Sequence, residues 1–264
     1  MGSFRLTEEQ VVGFQRDGYV MVEKLFDDEE MDLLLRVGKA DEQLQSDARV
    51  MKDAEGGESK LSLRGDIRQD IYGAIVRSPR VVDSMETLLG GEVYHWHHKM
   101  MLKEPFVGGA WEWHQDYGYW YNDGCLYPDM ASCMIAVDRA TKENGCLQVL
   151  KGSHKLGRIN HGTTGGQAGA DLERVEAAMQ RLDLVYCEME PGTALFFHAN
   201  LLHRSAPNKS PNARWSLICC YNTVWNRPFK ATGHGKFEPL ERWPEESIKE
   251  MGRRQVEQGA GGLG

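Results

Sequence analysis

The sequence predicts a mainly β fold with flanking helices, and three observations carry that expectation. Apolar residues recur mostly at helical spacing up to about residue 91. Beyond that point they fall into short β-type runs separated by Gly, Pro and Asn turn signals. The two element types do not alternate regularly, which argues against βαβ units and leaves an α+β domain or a helix-decorated β-sandwich or barrel.

The elements follow in order. Thr7-Glu8-Glu9-Gln10 has the capping-box pattern, opening a helix on Val11, Val12 and Phe14 that Gly18 ends. Tyr19-Val20-Met21-Val22 reads as a strand. Asp27 or Asp28 caps a second helix with Met31, Leu34 and Leu35 on one face. Residues 53–59 are polar and Gly-rich, which predicts a mobile loop. Ser78-Pro79 opens a helix carrying Val81, Val82, Met85, Leu88 and Leu89, stopped by Gly90-Gly91. Strands are then expected over 92–102, 131–137, 147–150, 184–188, 194–197 and 215–221, with Pro191-Gly192 as a turn before one of them. A flexible run over 162–169 precedes a helix over 171–182, and 259–264 reads as a disordered tail. One domain accounts for the chain: a helical region over 1–91, a β core over 92–225 with a helical insertion at 162–182, and a C-terminal tail over 226–264.

Composition excludes several function classes. The 264 residues carry 31 Lys+Arg against 39 Asp+Glu, a net charge of −8, which disfavours nucleic acid as a partner. Mean hydropathy is −0.52, and no run approaches the ~20 apolar residues of a membrane span. The N-terminus lacks an apolar signal core, so a soluble, cytoplasmic protein is expected. None of the six cysteines forms a CxxC pair, and buried reduced thiols are expected. Nothing in the sequence sets an oligomeric state.

The chemistry concentrates in Trp111-Glu112-Trp113-His114-Gln115-Asp116-Tyr117. On a strand, residues i and i+2 face the same side, so His114 and Asp116 would project together. A third ligand completes a facial 2-His-1-carboxylate triad, which leaves positions open on iron. His203, which follows a predicted core strand, is the best candidate. Eleven residues later, Arg214 opens the last apolar strand. Arginine is a poor core residue unless it binds an anion; its fork suits a carboxylate, and Ser216 shares its face. His95, His97 and His98 cluster without an acidic or Cys partner at suitable spacing, which argues against a second metal site. His154 and His198 read as structural, and His161 and His234 carry no signal. Trp111, Trp113, Tyr117, Tyr119, Trp120 and Tyr121 crowd the motif as either packing or a substrate wall. Trp113, Gln115, Tyr117 and Trp120 are the candidate substrate contacts, and aromatic faces would suit a zwitterionic amine. The 162–182 insertion reads equally as a lid or as a passive surface element. No P-loop, GxGxxG or nucleophile elbow is present.

On these residues the chain resembles the phytanoyl-CoA dioxygenase family of iron(II)/2-oxoglutarate oxygenases, whose pattern is HxD, a distal His, and an Arg eleven residues further. Glu143-Asn144-Gly145-Cys146-Leu147, Leu150-Lys151-Gly152-Ser153-His154 and His203-Arg204-Ser205-Ala206-Pro207-Asn208 match as well, and the likeness covers about 7–222. It implies a double-stranded β-helix (jelly-roll, cupin-like) core with helices outside. It implies Fe(II) on His114, Asp116 and His203, with 2-oxoglutarate and O2 as cosubstrates and ascorbate helpful in vitro. Arg214 would hold the distal carboxylate beside Ser216, with Lys99 and Met134 lining the cosubstrate. The implied reaction is oxidative decarboxylation of 2-oxoglutarate to succinate and CO2, coupled to hydroxylation of an unactivated C–H bond in a small molecule. The retained Asp116 favours hydroxylation or desaturation, because related halogenases carry a small residue there. The chain looks most like bacterial members acting on free metabolites, of the proline and ectoine hydroxylase type, but it has Met101 where those tend to have Asn. Two alternatives stay open: a non-catalytic jelly-roll binding metal or 2-oxoglutarate, and an acyl-CoA hydroxylase of the same family.

Overall fold

The computed structural model describes residues 4–53, 56–164, 167–232, 237 and 240–259. His234, parts of the two Gly-rich runs (54–55 and 165–166) and the expected tail beyond Gly259 lie outside the described residues. The N-terminal part comprises α1 (Glu8–Asp17), β1 (Tyr19–Val22), α2 (Asp28–Ala40), α3 (Glu42–Asp47), β2 (Arg49–Lys52), β3 (Glu58–Arg64), α4 (Ile71–Val76) and α5 (Pro79–Leu89). Then come β4 (Val93–Lys103), β5 (Trp111–His114), α6 (Asp116–Trp120), β6 (Met130–Ala136), β7 (Leu147–Leu150), β8 (His161–Thr164) and β9 (Gln167–Ala170). The remainder is α7 (Leu172–Met179), β10 (Leu184–Cys187), β11 (Ala194–His198), β12 (His203–Ser205), β13 (Arg214–Thr223) and α8 (Ser247–Glu257).

Local signals placed most of these elements. Thr7 and Gln10 satisfy each other's backbone N–H groups at 3.2 and 2.8 Å, and Asp27 and Glu30 do the same at 3.0 and 2.8 Å. Gly18 closes α1 at φ 84°, and a Cβ there would also lie 2.5 Å from the His154 ring. Ser78 and Pro79 open α5 as expected, although the Ser78 hydroxyl donates to Glu245 rather than to a helix N–H.

Two antiparallel sheets form the jelly-roll, in the orders β1-β11-β6-β13-β4-β3-β2 and β10-β7-β12-β5. Between them lies a cluster that includes Trp96, Met101, Met134, Val149, Phe197 and Ile218. The outer face of the large sheet packs under the helices, where Leu217 and Cys219 meet Phe14, Leu34, Ile75 and Met85. β13 is therefore buried on both faces, and this explains why it reads as a continuous apolar run rather than an alternating one.

The expected boundaries need three corrections. Asp53 and residues 56–59 are not part of a free loop. Asp53 is buried and accepts the N–H groups of Gly57 and Ala110, and Glu58 onward pairs as strand β3, which adds the β2–β3 hairpin to the large sheet. In the run expected to be flexible, residues 161–164 and 167–170 pair as the antiparallel strands β8 and β9. The C-terminal stretch is not all tail: α8 docks on α2 and α4, with Gly252 so close that a Cβ would meet Ile71 and Leu33 at 2.9 Å. All six cysteines are free and buried. No helix among the described residues is long and apolar enough to cross a membrane.

The β4 histidines yield a pH prediction. His95 Nε2 and His98 Nδ1 lie 3.1 Å apart, and burial, aided by Arg64 and Arg68, pushes His98 down from 6.5 to about 3. The unfolded chain takes up this proton below pH ~6.5 and the folded chain does not, so stability falls as pH drops towards 3, by about 1.4 kcal/mol per pH unit. Urea unfolding at pH 7 and pH 5 should therefore show a loss about 2 kcal/mol smaller in His98→Gln than in the wild type. Equal losses would contradict this.

Candidate active site

The site forms where the two sheets meet. β5 ends at His114, and Asp116 is the first residue of α6 rather than a strand residue as expected. The two side chains still converge because Gln115 between them stays extended, at φ −115° and ψ 132°. His203 is the cross-strand partner of His114, which brings the two imidazole centroids to 4.1 Å. Asp116 Oδ1 lies 3.9 Å from Nε2 of each histidine. The three ligand atoms all fall within 4.8 Å of one another, on buried residues, and no second such group occurs among the described residues.

Backbone carbonyls set the tautomers. His114 Nδ1 lies 2.7 Å from the Glu112 carbonyl and His203 Nδ1 lies 2.9 Å from the Leu201 carbonyl. A carbonyl only accepts, so the protons sit on Nδ1 and both Nε2 lone pairs face Asp116. Burial, reinforced at His114 by His203, pushes both imidazoles below their ordinary range and keeps them neutral. Burial alone would raise the Asp116 carboxyl; the Lys99 ammonium and the hydrogen bond from the Ser132 hydroxyl help to outweigh it and hold Asp116 ionised. Ser132 donates to Oδ2 at 2.9 Å, leaving Oδ1 for a metal. Two neutral imidazoles and one carboxylate on one side are a donor set that fits Fe(II).

The remaining predicted cosubstrate residues lie on the large sheet. Arg214 pairs in register with Lys103, Ser216 with Met101, and Ile218 with Lys99 and Met134. Lys99 Nζ is 3.9 Å from Asp116 Oδ1. Its burial opposes the charge, but Asp116 outweighs burial and raises the Lys99 pKa. Arg214 is 2% exposed, and neither its Nε nor the Ser216 hydroxyl has a hydrogen-bond partner among the described residues. Burial pushes the guanidinium down to about 10. A buried, unsatisfied guanidinium and hydroxyl on one strand face fit an anionic ligand.

The four candidate substrate contacts fare differently. The period that turns His114 inward turns Trp113 outward, and its ring packs with Leu150, Ile159 and Leu202 under Arg204. Gln115 also faces away, its amide taken up by Gly157, Ile159 and Asn200. Tyr117 joins the inner cluster but donates its hydroxyl to the Cys125 carbonyl, and Trp120 packs on Trp96 and His97. Tyr119, named only among the surrounding aromatics, has its ring centroid 5.7 Å from that of His114. Sequence reasoning missed Ser132 and Lys103. Ser132 gave only the weak signal of a hydroxyl inside an apolar strand. Lys103 was readable by alternation from Lys99; it is buried and donates to Ser205 Oγ and the Ala206 carbonyl at 2.9 and 2.5 Å.

The comparisons with known proteins agree with this geometry. The profile of the family described as phytanoyl-CoA dioxygenase (PhyH) matches residues 14–216, a span that takes in the triad, Arg214 and Ser216. The L-proline trans-4-hydroxylase of Streptomyces griseoviridis is 34% identical over 60% of this chain and 65% of that enzyme, just under two thirds of its length. The ectoine dioxygenase of Sphingopyxis alaskensis is 26% identical over 89% of this chain and 81% of its own. The crystal structure of EctD from S. alaskensis with 2-oxoglutarate and 5-hydroxyectoine superposes with a TM-score of 0.74 at 25% identity, covering 91% of this chain and 89% of that one. On the strength of the matched span and of the residues it contains, the chain belongs to the phytanoyl-CoA dioxygenase family.

Proposed function

We propose that the protein is an Fe(II)- and 2-oxoglutarate-dependent dioxygenase that hydroxylates an unactivated C–H bond of a small, amino-acid-like metabolite. The observation that carries this reading is the buried His114–Asp116–His203 group together with the buried Arg214, whose Nε has no hydrogen-bond partner among the described residues. The two Nε2 atoms and Asp116 Oδ1 would hold the iron. Arg214 and Ser216 would take the distal carboxylate of 2-oxoglutarate, with Lys99 and Met134 along its side. Together with 2-oxoglutarate and O2, the iron supplies the oxidation, with succinate and CO2 released.

The chain's own residues do the rest. Ser132 fixes the carboxylate rotamer, and the two carbonyl-bound imidazoles keep their lone pairs on one point. The inner cluster around Trp96, Trp120 and Phe197 keeps water from the reacting centre. The relatives named for proline and ectoine support a small zwitterionic or amidine substrate. We read the chain as one oxygenase domain working in the cytoplasm, where its six free thiols would remain reduced.

The test is a screen of free amino acids and cyclic amidines with Fe(II), 2-oxoglutarate and ascorbate, followed by mass spectrometry. The expected result is a product heavier by one oxygen, with matching succinate. Product from acyl-CoA thioesters alone would assign a different substrate class. Tight 2-oxoglutarate binding with no succinate from any compound would favour a non-catalytic binder.

A further inference from the structure

We propose that His161 is a positioning residue for the metal centre: it accepts the backbone N–H of Gln115, and so sets the peptide joining the ligands His114 and Asp116. The inference rests on the metal reading of the triad. His161 opens β8, forty-five residues beyond Asp116, and belongs to none of the motifs quoted above.

Three observations converge on it. The Gln115 N–H donates to His161 Nε2 at 2.9 Å, while His161 Nδ1 lies 2.8 Å from the Ile159 carbonyl. That carbonyl fixes the proton on Nδ1 and leaves Nε2 free to accept, the arrangement already seen at both metal-facing histidines. The Gln115 side chain is gripped by the same segment, its Nε2 donating to the Gly157 carbonyl at 2.8 Å and its Oε1 accepting the Ile159 N–H at 2.7 Å; Nε2 also donates to the Asn200 carbonyl at 2.7 Å. Main chain and side chain of the residue between the two ligands are thus both held by 157–161. Thirdly, Gly118 leaves room for the ring. A Cβ at Gly118 would stand 2.2, 2.3 and 2.4 Å from three of its atoms. The ring therefore lies directly on α6, the helix that Asp116 begins.

The bond acts on the ligands through geometry. His114 and Asp116 share a face only while Gln115 stays extended, and His161 holds Gln115 from outside. Outer groups that orient ligands in this way typically change metal affinity 10–100-fold when removed.

The test is Co(II) titration of the purified full chain, read by the visible absorption of the bound ion, with circular dichroism to confirm folding. His161→Phe keeps a ring over Gly118 but removes the acceptor. It should weaken Co(II) binding about 10-fold or more and change the visible spectrum. His161→Gln restores an acceptor and should stay within about threefold of the wild type, well short of that loss. Gly118→Ala, which displaces the ring without changing it, should reproduce the Phe result and serves if His161→Phe does not fold. A folded His161→Phe or Gly118→Ala with wild-type affinity and spectrum would overturn the proposal, as would an equal loss in His161→Gln. A wild-type chain that binds no Co(II) would overturn the metal reading as well, so the two failures are distinct.

Discussion

Asp116→Ala should leave a folded chain that neither binds Co(II) or Fe(II) measurably nor forms succinate above background. Asp116 supplies the only negative charge in the triad, and its Oδ1 is equidistant from both imidazole nitrogens at 3.9 Å. Two neutral imidazoles alone give two ligands and no charge to offset a divalent ion. Affinity should therefore fall by more than the ~100-fold upper range for removing an outer-shell partner. The same change strands Lys99, whose pKa is raised by Asp116, in a mostly buried position. Leaving that ammonium without its partner should cost roughly 2 kcal/mol of stability in the metal-free protein. Asp116→Asn separates charge from shape, because an amide can still accept from Ser132 yet carries no charge. Metal titration, a succinate assay and urea unfolding together check the three parts. Wild-type succinate formation by either variant would remove Asp116 from the centre.

Local signals made much of this legible. Capping pairs such as Thr7 with Gln10, stop signals such as Gly18, and unbroken apolar runs such as β13 depend on neighbours within a few residues. Those elements fall within a residue or two of where the sequence puts them. The triad was legible for another reason: its spacing is set by a fixed register, with His114 opposite His203 across β5 and β12. Where the sequence reading failed, it failed at contacts between distant segments. Ser132 meets Asp116 only because β6 of the large sheet faces α6. The paired strands β2 and β3 are tied to Ala110 through Asp53, and α8 sits in a cradle at Leu33 and Ile71. Trp113 and Gln115 are a different case. The alternation that turns His114 inward turns both of them outward, and that is legible from the same spacing.

Arg214→Met should separate binding from stability in opposite directions. In the empty protein Arg214 is a buried cation with an unsatisfied Nε, close enough to Lys103 that the two charges oppose each other. Burial lowers its pKa to about 10 from 12.5 and outweighs the attraction of Asp138, so folding removes a guanidinium from water at a net cost. At any pH below that value the charge costs stability. Exchanging a buried charge for an apolar side chain of similar length is often neutral, or stabilising by about 1–4 kcal/mol. The ligand reverses the balance. At 100 times its Kd, 2-oxoglutarate would stabilise the wild type by about 2.7 kcal/mol. The Met variant, lacking the fork for the distal carboxylate, should bind it at least ~30-fold more weakly, the 2–5 kcal/mol cost of removing one partner of a buried charge pair. At the same ligand concentration it should gain about 0.9 kcal/mol or less. Melting curves with and without 2-oxoglutarate should therefore separate the two effects: the variant is at least as stable as the wild type without the ligand, and its stabilisation by the ligand is about a third of the wild-type value or less. Arg214→Lys keeps the charge but not the bidentate fork, and should lie between them in affinity. An arginine that only holds the fold would make the variant less stable under both conditions, and that result, or an unchanged affinity, would remove Arg214 from the cosubstrate pocket.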